Sequence, residues 1–180
     1  MQSISPEIIF RGDDAWEEAL PQISTYTERP LILGRSSSTH EIRDKIFKDL
    51  KNQNLYPAKA NLQFDCCDED ISRIQNVILK NNYDSVLAVG GGKVLDSGKY
   101  ISDSLDIPCI TVPLSASTCA GWTALSNIYT RNGQFIKDVS LRSCPKVLVY
   151  DHKFIKTAPS RTLASGIADA LAKWYESSIT

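Results

Sequence analysis

Three stretches of this sequence combine residue types and spacings that suit chemistry. In Val89-Gly90-Gly91-Gly92-Lys93-Val94-Leu95-Asp96-Ser97-Gly98-Lys99, an apolar run hands over to three glycines and then to a helical pattern. Glycines at such a turn let the backbone come close to a ligand, and the first N–H groups and dipole of a helix attract an anion. The run is not a Walker A loop, because Val94 follows Lys93 where a serine or threonine is needed. It is not G-x-G-x-x-G either, because Val94 and Leu95 are the second and third residues after Gly92. Both a tight structural turn and a phosphate cradle answer to it. In the second stretch, Val112-Pro113-Leu114 opens into Ser115, Ser117 and Thr118. Those hydroxyls suit a phosphate or ribose, or simply the cap of the next turn. The third stretch is Thr162 to Glu176. At 100° per residue, Leu163, Ile167, Ala170, Leu171 and Trp174 form one apolar stripe, with Asp169, Lys173 and Glu176 on the other side. Its plain reading is a solvated face with an Asp169–Lys173 pair worth roughly a few tenths of a kcal/mol.

The elements that position these stretches alternate. Leu31-Ile32-Leu33-Gly34 is a short apolar run followed by Ser36-Ser37-Ser38-Thr39, a set of helix-capping residues, and then by Ile42, Ile46, Phe47 and Leu50 at helical spacing. Asn61 to Asp65 alternates like a strand, and Asp68 to Lys80 carries a helical stripe of Ile71, Ile74, Val77 and Ile78. Ser85 to Val89, Ile107 to Val112 and Lys146 to Tyr150 read as strands buried on both faces, with 114–144 irregular between the last two. Strand and helix in turn at this spacing predict βαβ units and a Rossmann-like, doubly wound, mostly parallel α/β sheet.

Composition sets the boundary conditions. The 180 residues are 42% hydrophobic and 23% charged, with 20 basic and 21 acidic side chains and a net charge of −1. That balance leaves no basic footprint for nucleic acid or an anionic membrane. No apolar run approaches the length of a membrane span, and the first ten residues lack a secretory pattern, so a cytoplasmic protein is expected. Five cysteines without a C-x-x-C pair read as reduced thiols packed as small apolar groups. His40 and His152 are the only histidines, which leaves a self-contained histidine metal site out of reach.

Taken together and in this order, G-G-G-K-x-x-D-x-x-K, P-x-x-x-S-T-x-A followed by A-L-S-x-I-Y, and G-I-A-D-A-L-A-K-W-Y-E resemble the iron-containing alcohol dehydrogenase superfamily, and within it the glycerol dehydrogenase branch. The resemblance runs from about Leu31 to the last residue. It implies an N-terminal dinucleotide-binding α/β domain, a C-terminal helical domain and an active site in the cleft between them. It implies reversible hydride transfer between a small alcohol or polyol and NAD(P), assisted by one divalent metal, zinc or iron. It further implies that Gly91, Gly92 and Lys93 cradle the cofactor pyrophosphate with Asp96 nearby. Ser117 then contacts the cofactor from the second loop, and Thr123, Leu125 and Tyr129 line its nicotinamide and ribose side. Asp169 becomes the first metal ligand, on a helix face that a second domain would cover. A homo-oligomer is expected at full length.

The sequence departs from that family in four places. Cys119 stands where glycerol dehydrogenases carry an acidic residue in S-T-D-A, and a thiol accepts hydrogen bonds from a polyol poorly. Leu114 replaces a usual threonine. Arg35 follows Gly34 where NAD-using relatives carry an aspartate, so NADP(H) is expected over NAD(H) unless Arg35 points to solvent. The family's remaining metal ligands are histidines of the helical domain, and neither His40 nor His152 matches them. The expected organisation is therefore a dinucleotide-binding domain over 1–158 and the first helix of an incomplete helical domain over 159–180, catalytically incomplete as it stands. Two other readings stay open: a glycerol-1-phosphate dehydrogenase-like enzyme, which would show S-H-D-G where this chain has Ser117-Thr118-Cys119-Ala120, and a nucleotide-binding module without catalysis.

Overall fold

The computed structural model describes residues 5–179, so Met1 to Ile4 and Thr180, the outer ends of the two expected domains, lie outside the described residues. In chain order the elements are β1 (Ile8–Gly12), α1 (Ala15–Ile23), β2 (Pro30–Gly34), α2 (His40–Asn52), β3 (Ala58–Asn61), α3 (Asp68–Asn81), β4 (Ser85–Gly90), α4 (Gly92–Leu105), β5 (Cys109–Pro113), β6 (Leu125–Tyr129), β7 (Phe135–Ser140), β8 (Val147–Asp151), α5 (His152–Ile155) and α6 (Ser160–Ile179). Six strands form one sheet in the order β1-β8-β5-β4-β2-β3, and every pair is parallel. The doubly wound α/β sheet expected from the alternation is present.

Strand residues alternate between two cores, as the period-2 pleat requires. Ile32, Leu87, Val89, Ile110, Val112, Val147 and Val149 pack under α1 and α2 with Trp16, Ile46 and Leu50. Leu31, Leu33, Val86 and Ala88 pack under α3 and α4 with Ile71, Ile74, Leu95 and Ile101. Gly98 brings α4 down onto β4, since a Cβ there would lie 2.5 Å from that of Ala88. Because α2 and α4 leave neighbouring strands on opposite faces, the carboxyl ends of β2 and β4 flank a topological switch point, where open α/β sheets bind ligands.

The structure corrects three sequence expectations. The strand read at Asn61–Asp65 ends at Asn61. Beyond it the Asp70 carboxylate accepts the N–H groups of Gln63 and Phe64, and Asp65 accepts that of Cys66, which curls the chain off the sheet. The segment 114–144 is not wholly irregular, because β6 and β7 form an antiparallel hairpin. Its signal was Asn132-Gly133 between two alternating runs, and Gly133 does adopt a left-handed φ of 81°. Finally, the apolar stripe of α6 does not pack. Leu163, Ile167, Leu171 and Trp174 are exposed, Trp174 to 74%, and no residue of α6 is buried. The segment before β2 also forms an edge strand and a helix that the spacing had not revealed.

Candidate functional site

At the switch point, Arg35, Ser36 and Thr39 from the end of β2 face Gly90, Gly91, Gly92, Lys93 and Val94 across a depression of about 160 Å³. No carboxylate lines it. The Val94 and Leu95 N–H groups close on the Gly91 carbonyl at 3.0 and 3.1 Å, so helical bonding of α4 begins there. The N–H groups before them lie outside that pattern, as at every helix start. The Ser115–Thr118 loop crosses in front: a Cβ on Gly92 would lie 3.2 Å from Thr118 Cγ2, and one on Gly91 would lie 3.8 Å from Ser115 Oγ. Ser117 and Ser115 share a hydroxyl–hydroxyl bond of 3.0 Å. A glycine cradle at a helix start, flanked by hydroxyls and free of negative charge, suits a phosphate group.

Lys93 is part of this turn, yet its ammonium is already engaged. It donates to the buried Asp65 carboxylate and lies 5.9 Å from the Tyr129 ring centroid. Asp96 does not line the depression. It is buried on the inner side of α4, paired at 3.0 Å with Lys99. Lys99 Nζ in turn donates to the Thr123 carbonyl at 3.2 Å, the Thr123 hydroxyl at 3.3 Å and the Leu125 carbonyl. Burial pushes the Asp96 carboxyl above its ordinary value, opposed by Lys99 and by the N–H of Asn127. Thr123 and Leu125 therefore stand at the hairpin entry, fixed from beneath. At the far end of β6, Tyr129 packs its ring edge-on to Phe135.

A second cavity, of about 430 Å³, opens between the Ser115–Trp122 segment and α6. Cys119, Trp122, Tyr150, Asp169 and Lys173 are among its lining residues. The reason is Gly166: a Cβ there would overlap the Ala116 carbonyl, so α6 rests its backbone on the loop. The face of α6 that carries Gly166, Asp169, Ala170 and Lys173 thus turns toward the loop, while Leu163, Ile167, Leu171 and Trp174 stay exposed. Lys173 bridges Asp169 at 3.5 Å and Glu176 at 3.2 Å. His40 pairs with Asp44 and His152 with Asp13, both on the surface, and neither lines this cavity. Among the described residues no group of three or more histidine, cysteine or acidic side chains could hold a metal ion. Leu114, the residue in place of threonine, is buried in the core beside α1 and α2. Four of the five cysteines are buried, and burial pushes the Cys66 and Cys109 thiols up to about 12. Cys119 is the exposed one. A third cavity, of about 330 Å³, lies by the amino ends of β5 and β8, where Lys99, Cys109, Arg142 and Lys146 are among its lining residues.

Asp65 and Arg43 were not foreseen. Asp65 reads as part of a strand, and Arg43 is not singled out by the helical pattern of Ile42, Ile46, Phe47 and Leu50.

The sequence matches the family described as iron-containing alcohol dehydrogenase over residues 6–152. It is 36% identical over 179 residues to an uncharacterized oxidoreductase of Synechocystis, covering 99% of this chain and 46% of the relative. It is 34% identical over 181 residues to a glycerol dehydrogenase of Thermotoga maritima, covering 97% of this chain and 47% of the relative. The fold superposes on the crystal structure of glycerol dehydrogenase from Schizosaccharomyces pombe with a TM-score of 0.85 at 28% identity, covering 96% of this chain and 44% of that one. The chain thus spans about half the length of the curated relatives it matches.

Proposed function

Because the chain belongs to the iron-containing alcohol dehydrogenase family, we propose that it is the dinucleotide-binding part of an alcohol or polyol dehydrogenase, moving hydride reversibly between a small alcohol and NAD(P). The observation that carries this reading is the glycine-opened start of α4 at the switch point, faced by a hydroxyl loop and lined by no carboxylate. The nicotinamide, when bound, takes up or returns the hydride. The chain's own groups bind and orient it. N–H groups at Gly91, Gly92 and Lys93 take the pyrophosphate. Ser117 adds a hydroxyl from the facing loop, and Thr123, Leu125 and Tyr129 form the nicotinamide and ribose wall. Asp96 works from beneath by holding Lys99, and through it the hairpin. Arg35 stands at the adenosine end, where a forked permanent cation favours the 2′-phosphate of NADP(H) over the bare ribose of NAD(H).

Asp169 is offered to the substrate cavity as one ligand for a zinc or iron ion. Catalytic zinc wants about three protein ligands, so the residues described here do not hold the ion by themselves. In the same cavity Cys119 and Trp122 give the alcohol a less polar neighbour than a carboxylate would. We assign 1–158 to the dinucleotide domain and 159–180 to the start of a helical one. The full-length protein is proposed as a cytoplasmic homo-oligomer without nucleic-acid or membrane partners. Among the described residues, no helix is long and apolar enough to cross a membrane.

Titration of the 180-residue chain with NADPH and NADH, followed by nicotinamide fluorescence, tests the reading. Binding is expected, and Gly92→Val should abolish it, because the new methyl groups meet Thr118 and fill the cradle. Absence of binding, or unchanged affinity in a variant with native circular dichroism, would overturn it.

A further inference from the structure

Arg43 lies on α2 and is only 3% exposed. Its guanidinium donates to the Ser36 carbonyl at 2.8 Å and to Asn61 Oδ1 at the end of β3. Its Nε, also buried, has no partner. Among the described residues no carboxylate lies within ion-pair distance of it, the neighbouring Asp44 being engaged by Lys59 and His40. Gly34 is glycine for this reason: a Cβ there would occupy the space of the guanidinium. Burial lowers the Arg43 pKa and outweighs the opposing charge of Asp44, so the cation is held at some cost in solvation. A buried cation without a direct ion-pair contact is unusual, since such charges are normally paired. Arg43 sits directly under the Gly34–Thr39 turn, whose Arg35, Ser36 and Thr39 line the depression at the switch point.

We propose that Arg43 is a positioning and specificity-determining residue for the cofactor. It fixes the Arg35–Ser38 turn through the Ser36 carbonyl and lends it a positive charge from below, so that a phosphomonoester on the adenosine ribose is preferred to a hydroxyl. The proposal rests on the reading that this depression takes the adenosine end of a dinucleotide. Arg43 touches no ligand atom and acts through the turn and through its field.

Calorimetry on the 180-residue chain with adenosine 2′,5′-bisphosphate, adenosine 5′-monophosphate, NADP+ and NAD+ provides the test. The unmodified chain is expected to prefer the 2′-phosphorylated member of each pair. Asn61→Asp places a carboxylate on the guanidinium without touching the lining of the depression. It should cut that preference about tenfold by cancelling one charge at close range, leaving 5′-monophosphate affinity within about twofold. Arg43→Gln should do the same, whereas Arg43→Lys, which keeps the charge, should retain most of the preference. A merely structural role would weaken both members of each pair alike, and an unchanged ratio in Asn61→Asp and Arg43→Gln would overturn the proposal. If the unmodified chain binds both dinucleotides equally, the specificity claim fails while the dinucleotide site stands. If it binds neither, the site reading fails and takes this proposal with it.

Discussion

Single residues in this molecule divide into those that face a ligand and those that hold them in place. Arg35 is of the first kind, exposed at the rim of the switch-point depression across from the Gly90–Val94 turn and with no carboxylate in the lining. Arg35→Asp should therefore reverse the dinucleotide preference, a carboxylate accepting hydrogen bonds from ribose and repelling a 2′-phosphate. Paired dissociation constants for NADPH and NADH check this, and a preference unchanged in sign would show that the arginine reads nothing. Asp96 and Lys99 are of the second kind. Their ion pair is buried and its spare donors are spent on carbonyls of Thr123 and Leu125. Removing one partner of such a pair leaves an unmatched buried charge, which costs about 3–5 kcal/mol. Asp96→Asn is expected to lose stability of that order in urea unfolding, with the hairpin exchanging its amide protons first. A loss below about 1 kcal/mol would mean that the pair is solvated and carries little.

Among the elements, α3 shows how a helix start can steer the loop before it. Burial by itself would raise the Asp70 carboxyl, but the Arg73 guanidinium and the N–H groups of Phe64 and Gln63 outweigh it and hold its pKa below the ordinary value. A carboxylate depressed in the folded state adds stability that is present above its unfolded value of 3.8 and is lost as pH falls through the lower folded value. Asp70→Asn should therefore lower stability at neutral pH and flatten the decline on acidification below about pH 4. An acid limb identical to that of the unmodified chain would refute this. The same element shows why the sequence was legible in parts. Continuous apolar strands such as β2, β4 and β5, and stripes such as that of α3, announce themselves by period, and the glycines after β4 announce a turn. Side-chain-to-backbone bonds such as those of Asp70 override the alternation of residues 61–65, and nothing in a local pattern reports them. The three candidate stretches were found because their residue types are unusual for their positions. Asp65 and Arg43 were missed because a charge buried by distant neighbours looks the same in sequence as a charge in water.

Over the whole molecule, the phosphate-type site lies within the α/β unit, whereas the cavity beside Asp169 lies between that unit and α6. The two should come apart in experiment. The 180-residue chain is expected to bind dinucleotide but to show no metal-dependent alcohol oxidation, since its described residues offer too few ligands for the ion. Turnover by the purified chain that a chelator abolishes would contradict this. The resting point of α6 on the loop has a mechanical consequence. With Gly166 set against the Ala116 carbonyl, the 20-residue helix is a lever whose fulcrum lies near one end. At a rise of 1.5 Å per residue, a tilt of about 10° carries Ile179 by roughly 3–4 Å but Asp169 by less than about 1 Å. A tilt about that contact would thus displace the exposed Trp174 end of the helix several-fold more than the carboxylate beside the cavity, leaving the placement of Asp169 nearly unchanged.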